Sequence, residues 1–238
     1  MRALDVAMST LASALRAGAG RRVRSAAAQP AKLLELYEFE GCPHCRRLRE
    51  ALSELDLDAM VYPCPPGGTR FRPRALELGG RRRFPLLVDP NTGVTMYESS
   101  DIVGYLVSTY GGRTGSLGTA GVVSSGFASA VRAAWGRHAR PSRLPENGVK
   151  PLELWSFEAC PYCRIARERL CELELPYVLH NVACASDRRG GFVARSGRMM
   201  VPYLVDPNTA ACLFESDDIV RYLEDSYGAP ARERPLET

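Results

Sequence analysis

The sequence lacks a long hydrophobic run, which argues against a membrane-spanning helix. The longest charge-free stretch, Thr114–Val131, has 18 residues but is rich in Gly, Ser, Ala and Thr, whereas a span needs about 20 mostly apolar residues. A dense basic stripe interleaved with aromatics is also missing, so a nucleic-acid partner is not expected. The net charge is only +4, and 45% hydrophobic with 24% charged residues excludes a disordered or collagen-like chain. The length predicts one or two globular domains.

What is present is an internal repeat. The aligned segments are 34–57 with 152–175, 85–106 with 202–223, and 6–20 with 122–136. The identical positions number 15 of 24, 14 of 22 and 8 of 15, respectively. Each unit is therefore predicted to be a short helix and a basic linker followed by a compact domain.

The segments that lead each unit carry apolar residues at a spacing of four, which predicts helices. These residues are Ala7, Leu11, Leu15 and Ala19 in one copy and Val123, Phe127, Val131 and Trp135 in the other. Packing of this stripe against the neighbouring domain is expected, with attachment to a membrane surface through the basic flanks as the alternative. The Arg-, Ala- and Ser-rich start also fits a targeting peptide, but its similarity to an internal segment favours retention in the mature protein.

The domain in each unit has a predicted element order of β-α-β-α-β-β-α. In the first copy these elements are a strand at Leu33–Phe39, a helix from Pro43, a strand at Asp58–Tyr62, a helix at Arg74–Leu78 that starts no earlier than Pro73, a hairpin of Pro85–Val88 and Val94–Tyr97, and a helix that Ser99 can cap. Cys-Pro-x-Cys stands at the first strand-to-helix junction of both copies.

That order and motif resemble the thioredoxin fold in its glutaredoxin-like form. The stretches ELYEFEGCPHC and ESSDI also resemble the glutathione-binding N-terminal domain of glutathione S-transferases. The tandem arrangement, with Pro63-Cys64-Pro65 and a VDPNT stretch in both copies, resembles double glutaredoxin-like proteins of plants and algae. The resemblance implies an α/β chain of two tandem thioredoxin-fold domains (βαβαββα), each preceded by a short helix, and a chloroplast location with the cytoplasm as the alternative.

Domain boundaries follow from the repeat and the resemblance. They are 1–32 for the N-terminal helix and basic linker, 33–111 for the first domain, 112–149 for a linker with a helix at 122–136, 150–228 for the second domain and 229–238 for a flexible tail.

Four of the eight cysteines form the two Cys-Pro-x-Cys motifs, which predicts redox chemistry. A cysteine at a helix N-terminus has a lowered pKa, because unpaired N–H groups and the helix dipole favour a thiolate. Nearby arginines are expected to lower it further: Arg46, Arg47, Arg49, Arg164 and Arg167. Cys42 and Cys160 are therefore the predicted nucleophiles, each exposed, while Cys45 and Cys163 are the predicted resolving thiols. The alternative is a structural pair of half-buried thiols.

Metal binding by these motifs is not expected. A shared zinc site would need pairs about 15–20 residues apart, whereas 114 residues separate Cys45 from Cys160. An iron–sulfur cluster bridging two protomers through Cys42, as in some glutaredoxins, is the minor alternative. His44 is interpreted as a spacer, because Tyr162 takes its place in the second copy.

The resemblance implies a glutathione site beside each nucleophile. Pro85 and Pro202 occupy the position of a cis-proline facing the Cys-Pro-x-Cys motif, although an edge-strand proline is the alternative. The remaining implied contacts are Phe84 and Val201 through their backbones, Glu98-Ser99 and Glu215-Ser216 at the γ-glutamyl end, and Asp101 and Asp218 at its ammonium group. The alternative for this last set is a plain helix cap with first-turn acids.

Arg81, Arg82 and Arg83 precede Phe84 and are either contacts for the glycyl carboxylate or a solvated loop. The second copy has Gly-Arg-Met-Met there, so the two sites are expected to differ in charge. Cys171 and Cys212 are predicted to be small apolar fillers.

The leading hypothesis is a glutathione-dependent thiol–disulfide oxidoreductase that reduces disulfide-bearing proteins or glutathione mixed disulfides. One alternative is a glutathione S-transferase-like protein. Another is a non-catalytic redox or iron–sulfur scaffold.

Overall fold

The computed structural model describes residues 3–111, 122–132, 135–144 and 148–229. Within these ranges the chain forms two tandem thioredoxin-fold domains of order βαβαββα, each preceded by a short helix, as predicted. The first repeat comprises α1 (Ala3–Ala14), β1 (Leu34–Glu38), α2 (Pro43–Leu55), β2 (Ala59–Pro63), α3 (Arg72–Gly79), β3 (Leu86–Asp89), β4 (Val94–Met96) and α4 (Ser99–Thr109). The second comprises α5 (Val122–Val131), β5 (Leu152–Ser156), α6 (Pro161–Glu172), β6 (Tyr177–Asn181), α7 (Arg189–Ser196), β7 (Tyr203–Asp206), β8 (Ala211–Phe214) and α8 (Ser216–Tyr227). The predicted linker stretch 112–121 and the tail from 230 lie outside the described residues.

The strands of both repeats join in one sheet of order β4-β3-β1-β2-β6-β5-β7-β8. Its centre is an antiparallel pairing of β2 with β6, in which Met60 stands opposite Val178. Each repeat alone would leave this edge strand with unpaired N–H and C=O groups. Pairing the two edges satisfies these groups and brings the two Cys-Pro-x-Cys helices to the same interface.

The helix after each Cys-Pro-x-Cys motif starts and packs as its sequence predicts. Pro43 occupies the first turn of α2, where its missing N–H costs nothing. Leu48, Leu52 and Leu55 recur at helical spacing and are buried in the first-repeat core. The short α3 differs from the prediction, because it begins at Arg72 rather than after Pro73. A proline is tolerated anywhere in the first helical turn, so it does not mark the first residue.

The VDPNT stretch fastens the hairpin turn to the last helix. Tyr105 and Tyr110 both donate hydrogen bonds to Asp89 Oδ2, at 2.6 and 2.5 Å. Burial alone would raise the pKa of Asp89, but these two hydrogen bonds and those from Asn91 lower it to about 2. The second repeat has the same arrangement around Asp206. The motif therefore has a structural role, which accounts for its recurrence in both copies.

The leading helices cross between the repeats. Ser9 Oγ of α1 donates a hydrogen bond to the carbonyl oxygen of Pro161, at the start of α6 (2.8 Å). Ser125 Oγ of α5 donates one to the carbonyl oxygen of Pro43, at the start of α2 (2.7 Å). Each leading helix therefore packs on the Cys-Pro-x-Cys helix of the other repeat. The expected packing on a neighbouring domain is found, but the neighbour is the partner repeat.

The predicted apolar stripe is not the face that packs. Leu11 and Leu15 of the first repeat are 47% and 41% exposed, and Phe127 is 65% exposed. Ser9 and Ala12 are buried instead. The reason is that α1 contacts the polar first turn of α6, where hydroxyl groups find backbone acceptors. The side chain of Val123, also in the predicted stripe, lies outside the described part.

Both leading helices are shorter than the repeat alignment predicts. Helix α1 ends at Ala14, before left-handed backbone at Ala17 and Gly18 (φ 49° and 74°), rather than continuing to residue 20. Helix α5 ends at Val131 rather than at 136. Left-handed residues cannot continue a right-handed helix, so residues 15–20 of the first copy form turns.

The interface between the repeats is a buried ion cluster. Glu158 lies 2.8 Å from Arg167, 3.0 Å from Arg49 and 3.7 Å from Arg46, and Glu40 lies 3.1 Å from Arg167. These side chains are at most 2% exposed. The cluster crosses the interface in both directions because Glu40 and Glu158 are equivalent residues of the two repeats. Buried charges of this kind are stable only when they are paired.

Candidate active site

Both predicted nucleophiles lie at the N-termini of their helices. Cys42 is the N-cap of α2, and its Sγ accepts a hydrogen bond from the backbone N–H of Cys45 (3.4 Å). Cys160 is the N-cap of α6 and accepts the same bond from Cys163 (3.2 Å). A sulfur in this position faces the unpaired N–H groups of the first helical turn, which favour a negative charge.

The pKa values separate the two thiols of each pair. The hydrogen bond from the Cys45 thiol, aided by the backbone N–H groups of Cys45 and His44, lowers the pKa of Cys42 to about 6 against the effect of burial. Corresponding bonds from Cys163 lower the pKa of Cys160. Burial raises the pKa of Cys45 well above its ordinary value. Cys42 is therefore a thiolate near neutral pH while Cys45 keeps its proton. The pKa values of Cys160 and Cys163 are shifted in the same two directions, because burial raises that of Cys163.

Two expectations about the nucleophiles are wrong. Cys42 and Cys160 are each only 5% exposed, because the leading helix of the partner repeat and the proline-containing loop cover them. The arginines that follow in sequence do not gather around the sulfur. Arg46, Arg49 and Arg164 are turned into the buried interface cluster, and Arg167 contributes only as a smaller cause at Cys160.

The cysteine of the first repeat lies against the predicted proline loop. The Phe84–Pro85 and Val201–Pro202 bonds are both cis. Cys42 Sγ is 4.0 Å from the carbonyl oxygen of Phe84. The sulfur of Cys42 therefore faces the backbone of the loop that carries the cis-proline.

A groove of about 270 Å³ collects most of the predicted glutathione contacts of the first repeat. It is lined by His44, Arg83, Phe84, Pro85, Tyr97, Glu98 and Ser99. Arg47 extends its guanidinium to within 3.5 Å of Ser99 Oγ, and Arg83 lies 3.3 Å from Glu98. The groove therefore offers a carboxylate-bearing ligand two guanidinium groups, of which that of Arg83 is already paired with Glu98.

The Glu-Ser pair differs from a plain helix cap. Glu98 and Glu215 have left-handed φ values of 66° and 64°, and neither side chain caps its helix. Ser99 and Ser216 are the first helical residues and are buried, so the expectation that Ser99 acts as the cap is wrong. In the first repeat this helix start lines the groove through Glu98 and Ser99, and the N-terminus of a helix is a position that favours a carboxylate.

Asp101 and Asp218 are not brought into the sites. Both are exposed on the solvent side of their helices, and Asp218 forms an ion pair with Arg221 (3.2 Å). Neither lines the cavities described here. Their predicted contact with the γ-glutamyl ammonium group stays a prediction.

The remaining cysteines divide by burial. Cys171 is 1% exposed, as expected of a filler, and Cys64 is also buried. Cys212 is exposed on β8, contrary to prediction, because this short strand forms the edge of the sheet. Among the described residues no group of three or more His, Cys, Asp or Glu side chains is placed to hold a metal ion. No helix in the described ranges is long and apolar enough to cross a bilayer.

Sequence reasoning missed the contribution of α1 to the second site. A cleft of about 530 Å³ beside Cys160 is lined partly by Thr10, Ser13 and Arg21 of the first repeat. The signal was present in the repeat alignment, since Ser9 and Ser13 are identical in the second copy whereas the exposed Leu11 and Leu15 are not.

Fold and site together define a thioredoxin-fold protein with an activated cysteine at the start of a helix and a cis-proline opposite it. Residues 36–114 and 154–231 each match the family described as "Glutathione S-transferase, N-terminal domain". These two segments cover more than half of the chain, which therefore belongs to this family.

Individual relatives are matched over different lengths of the chain. The chain is 38% identical over 71 residues to the glutathione S-transferase-like protein tpcF of Aspergillus fumigatus, covering 30% of this chain and 31% of that protein. A delta-class glutathione transferase of Nilaparvata lugens is 27% identical, with a TM-score of 0.27, over 33% of this chain and 37% of that one. Leishmania TDR1, described as a trimeric glutathione transferase, is 15% identical, with a TM-score of 0.29, over 87% and 70%.

The chain thus spans about a third of the length of its curated relative. The plant and algal type, the domain boundaries and the chloroplast location are not tested by these similarities and stay predictions.

Proposed function

We propose that this protein is a glutathione-dependent thiol–disulfide oxidoreductase that works through Cys42 and Cys160. The observation that supports this most directly is the divided pair. Cys42 has a pKa of about 6 and lies against the cis-proline loop, while Cys45 is fully buried with a raised pKa. A thiolate nucleophile beside a protonated partner is the arrangement that thiol–disulfide exchange requires.

The proposed reaction begins with a mixed disulfide between glutathione and a protein thiol. The Cys42 thiolate attacks the glutathionyl sulfur, and the S–S bond breaks with its electron pair leaving on the protein sulfur, which takes up a proton. A second glutathione, as thiolate, then attacks the Cys42–glutathione disulfide. This step releases oxidised glutathione and restores the Cys42 thiolate. Cys160 performs the same steps in the second repeat.

Cys45 provides a second route by which the Cys42–glutathione disulfide can be resolved. After losing its proton, it displaces glutathione and forms a Cys42–Cys45 disulfide, which two glutathione molecules reduce. The raised pKa of Cys45 makes this route slower than attack by free glutathione at neutral pH, because only the thiolate is nucleophilic.

The test is the reduction of a glutathione mixed disulfide of a small protein by the full chain with reduced glutathione. We expect partial activity in Cys42→Ser and Cys160→Ser and none in the double variant. Cys45→Ser is the matched control, because it removes a thiol but keeps the nucleophile and should stay active. Undiminished activity in the double variant would refute the proposal.

Glutathione transfer to an electrophile is the second candidate, and membership of the glutathione S-transferase N-terminal domain family favours it. In this reaction glutathione itself is the nucleophile, and the cysteines are dispensable. Conjugation of glutathione with chlorodinitrobenzene by the Cys42→Ser and Cys160→Ser double variant would support this candidate over the first.

A further inference from the structure

The cleft beside Cys160 is built by both repeats. The second repeat supplies Phe157, Cys160, Tyr162 and Val201, while the first supplies α1 and the turn that follows it. Its lining within the described residues does not include Glu215 or Ser216, the positions expected at the γ-glutamyl end of glutathione. The cleft therefore meets the expected tripeptide groove at Cys160 and Val201 and extends from there along α1, away from the γ-glutamyl end.

The walls of this cleft are mainly apolar. Phe157, Tyr162 and Val201 present apolar or aromatic side chains to it, and Tyr162 takes the place of His44 in the first repeat. Outside this lining, Ile165 and Met200 stand where the first repeat has Arg47 and Arg83. Tyr162 is 44% exposed, so its ring is available to a ligand. An aromatic ring can pack against such a surface, whereas the groove of the first repeat offers cations instead.

One positive charge remains at the edge of the cleft. Arg21 lines the cleft and its side chain is exposed. No hydrogen bond or ion pair to its guanidinium is found within the described part of the chain. A free guanidinium beside an apolar wall matches a ligand that combines an apolar body with a carboxylate.

The wall formed by α1 is firmly positioned. Arg164 of α6 donates hydrogen bonds to the carbonyl oxygen of Ser9 (2.6 Å) and to Ser13 Oγ (3.0 Å). Arg164 is only 1% exposed, so these bonds form away from water. A wall held in this way fixes the shape of the cleft rather than adapting to its ligand.

We propose that helix α1 of the first repeat completes a binding site at Cys160 for an apolar, carboxylate-bearing group attached to the substrate sulfur. This proposal rests on the proposed function, since the group is the thiol that leaves when Cys160 attacks the glutathionyl sulfur of a mixed disulfide. The Cys160–glutathione S–S bond forms, and the departing thiolate keeps the electron pair of the broken bond. Glutathione then regenerates Cys160 and leaves as oxidised glutathione.

The test uses the full chain with Cys42→Ser, so that turnover reports on Cys160 alone. The substrates are mixed disulfides of glutathione with 4-mercaptobenzoate, with uncharged thiocresol and with small mercaptoethanol. Ala14→Trp fills the cleft from α1, and Ala7→Trp is the matched control on an exposed position of the same helix outside the cleft. Because arenethiolates are intrinsically better leaving groups, each variant is compared with its parent on the same substrate.

We expect Ala14→Trp to lower kcat/KM about tenfold for both aromatic substrates, a change of about 1.4 kcal/mol, with little effect on the mercaptoethanol substrate. Ala7→Trp should match the parent. Arg21→Gln should lower kcat/KM for the mercaptobenzoate substrate only. Equal effects of the two tryptophan variants on the aromatic substrates would overturn the proposal.

A second measurement needs no turnover. S-(4-carboxybenzyl)glutathione, an unreactive thioether, should protect Cys160 from alkylation, as followed by peptide mass spectrometry, and Ala14→Trp should remove that protection. If no mixed disulfide is reduced, the proposed function fails, whereas equal protection in parent and Ala14→Trp refutes the cleft itself.

Discussion

The two repeats keep the same chemistry at the sulfur and differ in what surrounds it. Cys42 and Cys160 are both helix N-caps with lowered pKa values. The groove of the first repeat has Arg83 in its lining and Arg47 at Ser99, whereas the equivalent residues of the second repeat are Met200 and Ile165. The nucleophile depends on backbone N–H groups and on the second cysteine, which the motif itself provides. We expect ligand preference to depend on side chains beyond the motif, which differ between the two repeats.

The two repeats depend on each other for their buried ion pairs and for the packing of their leading helices. Glu40 and Glu158 each contact arginines of the other repeat, and each leading helix lies on the other repeat's reactive helix. Neither half would satisfy its buried charges in isolation. We therefore expect the two repeats to unfold together as one unit.

The largest effect is expected from Glu158→Gln in the interface cluster. Glu158 lies within 4 Å of four buried arginines, whereas Glu40 lies within that distance of three. Leaving buried cations unpaired costs about 3–5 kcal/mol, so Glu158→Gln should lower the free energy of unfolding by this amount and Glu40→Gln by less. Urea denaturation followed by circular dichroism measures both. A smaller loss in Glu158→Gln than in Glu40→Gln would contradict this ordering.

The next largest loss of folding free energy is expected when a tyrosine hydrogen bond to the aspartate of the VDPNT stretch is removed. Tyr227 and Tyr110 both donate to an aspartate at 2.5 Å, but Tyr227 is buried and Tyr110 is half-buried. A hydrogen bond to a charged group contributes about 1.5–3 kcal/mol, and we expect Tyr227→Phe near the upper value and Tyr110→Phe near the lower. The same urea titration measures this, and equal losses would show that burial does not distinguish the two repeats here.

Replacing the arginines of the first groove with the equivalent residues of the second repeat should weaken glutathione binding. Arg47→Ile with Arg83→Met gives the first groove the residues of the second and should weaken glutathione binding about tenfold, because two cations near the expected carboxylates are lost. Calorimetry with reduced glutathione measures the affinity. Arg74→Met, which removes an exposed arginine outside the groove, is the control and should bind normally. Unchanged affinity in the double variant would place glutathione elsewhere.

The smallest effect concerns the pH dependence of alkylation. Since Cys42 has a pKa of about 6, its thiolate predominates above pH 6, and alkylation should rise through this pH and slow below it. His44→Tyr copies the second repeat and removes a positive contribution, so the midpoint should rise by about half a pH unit or less. Iodoacetamide labelling with peptide mass spectrometry measures it, and a midpoint near the ordinary cysteine value would contradict the assigned thiolate.

The fold and the thiol pairs were predictable because their causes are local. Pro43 next to Cys42 specifies a helix start, and a helix start favours a thiolate whatever the rest of the chain does. The charge difference between the sites was also visible at Arg83 and Met200. The physical cause of the lowered pKa of Cys42 could not be predicted in full from the sequence. Arg46 and Arg49 follow Cys42 in the chain, but their side chains turn toward Glu158 of the other repeat.

By itself, the sequence determined two βαβαββα units, each with a cysteine at the tip of a helix and a proline loop to face it, because hydrophobic spacing, prolines and turn residues act over a few neighbours. Only the tertiary structure decided that the two sheets join through β2 and β6, that Leu11 faces solvent while Ser9 is buried, and that α1 forms a wall of the cleft at Cys160. These features depend on which copy of a repeated element a segment packs against. Because both copies contain the same elements, the choice is made by the burial of charges and the pairing of strand edges between the repeats.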